Sequence, residues 1–190
     1  MINKKNLETI KKEMHEFDSA REDIIKLSRD ILKSSKKAIF SLHRDDVKSA
    51  DLLIGSAEKT KSKIDSMLAK KDSLRSVGAF NEALQEYVEA VCYLNFIKEK
   101  ELPSFSSVGV EIEDYMLGLC DLTGELVRKA INSSIKGDYK KAVSIKDFVA
   151  ELYSVLMDFD FRSGSLRKKF DSIKYNLHAL QDLVLKIKLK

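Results

Sequence analysis

From residue 4 to residue 44, apolar side chains recur at helical spacing with no glycine or proline to interrupt them. Leu7, Ile10, Met14, Phe17, Ile24 and Ile31 fall on a heptad-like row, with Leu27, Ile39 and Leu42 alongside. Arg21 and Ser28 break the row. One helix over this stretch is about 60 Å long at 1.5 Å per residue, which exceeds the core of a small domain. The excess is expected to meet another subunit or to bend.

The rest of the chain follows the same logic. Its 190 residues hold one proline and seven glycines, a composition that favours long helices. Helical patterns are predicted over residues 45–71, 80–101, 110–136, 138–157 and 165–188. Asp45 or Asp46 is placed to cap the second of the helices. Residues 70–80 read as a connector, and "ELPSFSSVG" (101–109), with the only proline, as a loop. Gly137 suits a left-handed cap, and "FDFRSGS" reads as a turn around Gly164. No segment alternates apolar and polar residues long enough to argue for a sheet. The expectation is all-α: a bundle of six or seven helices, one domain over residues 1–190, with a long N-terminal helix. There is no apolar run of about 18 residues, so no membrane span is expected. The N-terminus lacks the apolar segment of a secretory signal. Cys92 and Cys120 lie inside apolar runs and read as reduced core residues of a cytoplasmic protein.

Two helices carry carboxylates where apolar residues dominate. In "LQEYVEAVCYLNF" (84–96), Glu86 and Glu89 are three apart and share a face. In "IEDYMLGLCDLTGELVRKAI" (112–131), Asp114, Asp121, Glu125 and Arg128 lie near one line. Gly118 and Gly124, near that line, would admit close approach of a partner helix or ligand. Unpaired buried charges are costly. Two carboxylate pairs on facing helices make an all-oxygen site of the kind Mg²⁺ or Mn²⁺ prefers. The plain alternative is that these acids pair with Arg128, Lys129 or Lys98, or face water. A di-iron bundle would need Glu-x-x-His motifs, and none of His15, His43 and His178 follows a Glu by three residues.

Net charge is only +4, but residues 21–44 concentrate basic side chains: Arg21, Lys26, Arg29, Lys33, Lys36, Lys37 and Arg44. Such a face either tracks a polyanion or is simply a solvated helix surface. His43 is read as a core or cap residue, or as a contact to that polyanion partner. Phe40, Phe80 and Tyr87 are read as core.

Taken in order, "SRDILKSSKKAIFSLHR" (28–44), "QEYVEA" (85–90), "DLTGELVR" (121–128) and "SLRKKFDSIKYNLHALQDLV" (165–184) resemble the translin family, most closely its translin-associated factor X branch. The resemblance is collinear over nearly the whole chain, though residues 52–80 match no motif. It implies a translin-type helical fold that assembles into a hollow octamer around RNA. It further implies a Mg²⁺-dependent endoribonuclease, with Glu86, Glu89, Asp121 and Glu125 as catalytic and metal-holding residues. Expected substrates are single-stranded RNA or fragments of small-RNA duplexes and tRNA precursors. Arg21, Arg29, Lys33, Lys36, Lys37, His43, Arg44 and Arg128 are the expected RNA contacts. Eukaryotic members of this branch carry an N-terminal extension that this sequence does not show, so a compact prokaryotic homo-oligomer is expected. The main alternative is a translin-like binder of single-stranded RNA or DNA without catalysis. Two others are a helical bundle that docks a protein partner and a metal-binding regulatory bundle.

Overall fold

The computed structural model describes residues 3–162 and 164–189. Among these residues there is no strand. The elements in order are α1 (Lys4–His43), α2 (Val47–Leu68), a 3₁₀ turn (Asp72–Ser76), α3 (Gly78–Ile97), α4 (Phe105–Val108), α5 (Ile112–Ile135), α6 (Tyr139–Leu156) and α7 (Ser165–Lys188).

Local chemistry sets these boundaries. Asp46, not Asp45, caps α2, its side chain accepting from the Ser49 amide at 3.1 Å. Asp138 does the same for α6 through the Lys141 amide at 3.0 Å. Gly137 follows α5 at φ 83°, the left-handed conformation expected of it. The predicted loop at 101–109 contains one helical turn, α4, which Ser104 starts and Gly109 ends at φ 69°. The 70–80 connector resolves into the 3₁₀ turn and the first residues of α3, which begins at Gly78. Ser163, in the turn predicted around Gly164, lies outside the described residues.

α1 lies along α2 and α3; α3 packs on α5, and α5 on α6 and α7, which also pack on each other. α3 and α5 are therefore the inner helices, which accounts for their nearly all-round apolar character. The core is one continuous cluster that includes Ile24, Ile31, Leu42, Tyr93, Leu122, Leu126 and Ile173. Each such aliphatic side chain contributes about 1.5–3 kcal/mol by leaving water. Cys92 and Cys120 are free and buried as expected, and burial pushes both thiols up to about 12. No helix among the described residues is long and apolar enough to cross a membrane.

The buried row of α1 runs through Ile24, Ser28, Ile31, Ser35, Ala38 and Leu42, mixing small residues with large ones. The hydroxyl of Ser28 turns back to the Ile24 carbonyl at 2.7 Å. N-terminal to this row, Leu7, Ile10 and Met14 are exposed, so the first turns of the helix, before Phe17, extend past the bundle. Phe80 and Tyr87 are core residues as expected, but Phe40 is not: it is 53% exposed. At about 100° per residue, Phe40 stands about 160° around α1 from the Ile24–Leu42 row and cannot share its environment.

Candidate functional site

α3 and α5 approach closely because Gly118 has no side chain. A Cβ there would lie 2.5 Å from the Gln85 carbonyl oxygen and 2.8 Å from the Val88 Cβ. Beside this contact, α3 presents Glu86 and Glu89, and one and two turns beyond Gly118, α5 presents Asp121 and Glu125. Gly124 makes no such contact; a Cβ there would meet only the Asn176 side-chain nitrogen at 3.9 Å.

The four acids lie close enough to act on one another electrostatically, and each has a different surrounding. Glu89 is 7% exposed. Burial pushes its carboxyl up to about 9, and the negative charges of Glu86, Asp121 and Glu125 add to the effect, while Lys169 only partly offsets it. Burial also raises Glu86, with Lys36 opposing from 4.0 Å. Glu125 moves the other way, because the hydrogen bond from His43 stabilises its charge. Asp121 is bound by the ammonium of Lys169, which also donates to the Gln85 side chain at 3.4 Å.

Four helices thus meet at this point. α1 brings Lys36 and His43, α3 and α5 bring the carboxylates, and α7 brings Lys169. His43 is buried. In the tautomer its pairing selects, Nε2 donates to Glu125 and Nδ1 accepts from the Tyr93 hydroxyl at 3.3 Å. The two rings meet edge to face, 5.3 Å between centroids. Both nitrogens are engaged, so His43 is a partner of Glu125 and not the surface RNA contact expected from the sequence.

Other residues also depart from expectation. Asp114, aligned with Asp121 and Glu125 on the helical wheel, is two turns away along α5. It is buried, accepts from Gln85 at 3.1 Å and Asn81 at 3.4 Å, and lines a different cavity with Phe80 and Arg75. Lys129 and Lys98, candidate partners for the acids, do not reach them. Lys129 binds the Leu42 carbonyl at 2.9 Å and Asp45 at 2.6 Å, tying the end of α1 to α5. Lys98 pairs with Asp51 at 2.8 Å. Arg128 does pair with Glu125, at 3.7 Å. Arg21, Lys26, Arg29, Lys33, Lys36, Lys37 and Arg44 are all exposed on α1, as a charged face should be. No sequence signal points to Lys169 or to the Tyr93–His43 pair.

No group of three or more His, Cys, Asp or Glu side chains among the described residues is arranged as it stands to hold a metal ion. The donor chemistry nevertheless fits a hard divalent cation. The donors are all oxygen, and Glu89 has the charges of Glu86, Asp121 and Glu125 beside it with only Lys169 partly offsetting them. To join such a site, Asp121 would release Lys169 and Glu125 would release His43.

The fold and this cluster define a class: an all-α protein whose two inner helices bring four carboxylates together beneath a basic helix. A model of the translin family matches residues 19–190, and the chain belongs to that family. It is 30% identical over 164 residues to an uncharacterized protein of Methanocaldococcus jannaschii, covering 81% of this chain and 70% of that one. It is 27% identical to the translin-associated protein X of Mus musculus over a 215-residue alignment, covering 89% of this chain and 72% of the relative. Among solved structures, apo-NeC3PO superposes with a TM-score of 0.89 at 30% identity, covering 97% of both chains. AfC3PO in complex with duplex RNA superposes with a TM-score of 0.85 at 26% identity, again over 97% of both. The translin-type all-α fold is therefore that of this chain.

Proposed function

We propose that this protein binds RNA and hydrolyses its phosphodiester backbone at Glu86, Glu89, Asp121 and Glu125, as a Mg²⁺-dependent endoribonuclease working within a homo-oligomer. The observation that carries this reading is Glu89, a carboxyl only 7% exposed, set beside the charges of Glu86, Asp121 and Glu125 with Lys169 only partly offsetting them. A purely structural role would favour an apolar side chain there, since burying such a group costs stability. RNA as the substrate class draws on the neighbour solved with duplex RNA and on the exposed basic stripe of α1.

Under this reading the four carboxylates would hold Mg²⁺, or Mn²⁺ in its place. A bound ion of this kind polarises a phosphoryl oxygen and lowers the pKa of its water. The chain's own groups do the rest. Lys33, Lys36 and Arg44 draw the backbone phosphates along α1 by charge alone. Lys36 brings that path to Glu86. Arg128, beside Glu125, is available to a phosphate oxygen. Before an ion binds, His43, backed by Tyr93, occupies Glu125 and Lys169 occupies Asp121, and both carboxylates would be freed to take it up. The oligomer would cover Leu7, Ile10 and Met14 on the extended first turns of α1.

The test is cleavage of an end-labelled single-stranded RNA in Mg²⁺ and in EDTA, by wild type and Asp121→Asn. Cutting that needs Mg²⁺ and disappears in the variant supports the reading. A second reading is favoured by the pairing of Asp121 with Lys169 and Glu125 with His43, which leaves no set of three open donors among the described residues. It is a translin-like binder without catalysis, which would retain salt-sensitive RNA binding in both proteins and cut nothing.

A further inference from the structure

Phe40 is a large aromatic side chain 53% exposed on a helix that has a full apolar face elsewhere. Its position on α1 is defined by its neighbours. Lys36, one turn earlier, reaches Glu86 at 4.0 Å, and His43, one turn later, binds Glu125. Residues 36, 40 and 43 lie within about 60° of one another around the helix axis. On α1 the ring therefore stands between the two side chains by which this helix reaches the carboxylate cluster. Arg29, Lys33 and Arg44 surround it on the same outward face, and the Arg44 guanidinium lies over the ring, 5.8 Å from its centroid. An exposed π-face inside a cationic stripe has two complementary functions toward one ligand. The cations take phosphates, and the ring takes a planar base.

We infer that Phe40 is a stacking platform for an unpaired RNA base next to the carboxylate cluster. This rests on the RNA reading above and refines it. In a duplex, a base shows its edges and keeps its faces stacked, so a ring at this position selects nucleotides that are unpaired or can be splayed out. The charge of the stripe fits a polyanion and gives no reason for a neutral apolar protein partner to cover Phe40. The platform would also fix register: a base held at Phe40 places an adjacent phosphate within reach of Lys36 and Glu86.

The experiment measures binding of a 12-nucleotide single-stranded RNA carrying 2-aminopurine, and of the blunt duplex of the same sequence, in EDTA. The proteins are wild type, Phe40→Ala, Phe40→Leu, Phe40→Trp and Lys33→Ala. The expected result is about tenfold weaker single-strand binding for Phe40→Ala and Phe40→Leu. Their salt dependence should be unchanged, with little effect on the duplex. Phe40→Trp should restore affinity and the 2-aminopurine quenching seen with wild type. Equal affinity in all Phe40 variants while Lys33→Ala still weakens binding overturns the platform and leaves the RNA reading intact. Restoration by Leu as well as Trp also overturns it, since bulk rather than a π-face would then matter. So does a change of oligomeric state in Phe40→Ala by light scattering, which would make Phe40 a subunit contact. No binding by wild type would instead remove the RNA reading itself.

Discussion

Gly118 backs onto Gln85 so closely that a single added carbon would sit 2.5 Å from the Gln85 carbonyl oxygen. The obstacle is backbone, which cannot rotate away. The separation of α3 and α5, and with it that of the two carboxylate pairs, depends on a missing side chain. Gly118→Ala should therefore cost about 1–3 kcal/mol, the usual range for overpacking, and lower the melting temperature by several degrees. Gly124→Ala, six residues along the same helix, meets only a flexible amide at 3.9 Å. It should be neutral or stabilising by up to about 1 kcal/mol through helix propensity. Urea unfolding of the two variants side by side checks this; equal effects would refute the close-packing argument.

Glu89 makes stability depend on pH in a direction unusual for a carboxyl. Its folded value, about 9, lies above the ordinary 4.5. The folded state therefore holds a proton that the unfolded chain releases. That contribution is complete below about 4.5 and is lost as pH rises toward and through about 9. Glu89→Gln mimics the protonated form at every pH. In EDTA it should match wild type near pH 4 and be more stable by a few kcal/mol at pH 8. A Tm difference of about 5 °C or more is expected there. A difference that does not change with pH would show that Glu89 is not held protonated.

Lys169 competes for Asp121 with any cation that binds the cluster. Lys169→Met removes the competitor and leaves the site more negative. Calorimetric titration with Mn²⁺ should show affinity raised about fivefold or more, from roughly 1 kcal/mol of relieved competition. Weaker Mn²⁺ binding would mean that Lys169 positions Asp121 for the ion and does not exclude it.

Asp45 adopts φ 65° just after α1, and its carboxylate is held down to about 2, mainly by the hydrogen bonds from Lys129 and Lys136. Asparagine tolerates this backbone. Asp45→Asn should keep the turn but give the ammonium of buried Lys129 a neutral amide oxygen in place of a carboxylate. A loss of about 1 kcal/mol is expected at pH 7, modest because Asp45 itself is largely exposed. The stabilisation is present above the ordinary value of 3.8 and fades as pH falls through about 2. Wild type and variant should therefore converge in acid melts.

Lys33 and Lys36 should contribute to RNA affinity through counterion release. Each alanine substitution is expected to lower the slope of log affinity against log salt by about 0.7 for a single strand. Unchanged slopes would move the RNA path off α1.

The fold is legible in the sequence because each long helix carries its own signal. The apolar periods, Asp46, Gly137 and the glycine–proline punctuation are local features. The carboxylates are legible for a related reason: Glu86 and Glu89 are conspicuous in an apolar run. Their partners are not, because those contacts join residues far apart in the chain. Lys169 reaches Asp121 across 48 positions and His43 reaches Glu125 across 82; no spacing encodes either. Asp114 falls on the correct line of α5 but at the wrong height, since a helical wheel discards position along the axis. Residue type alone assigns Phe40 to the core, although its angle on α1 places it outside.

The early turns of α1 have almost no tertiary support. Phe17, with Lys71 5.3 Å from its ring centroid, is about where the bundle begins to hold the helix. Before it, Leu7, Ile10 and Met14 stand in water, and a helical segment of that length is only marginally stable by itself. Backbone amides from residue 5 to about residue 15 should then exchange with deuterium orders of magnitude faster than those around Ile31 in a lone protomer. When a surface closes over Leu7, Ile10 and Met14, the same amides should slow. Exchange in this segment thus reports assembly directly: protection that rises with protein concentration would measure how tightly copies of the chain associate.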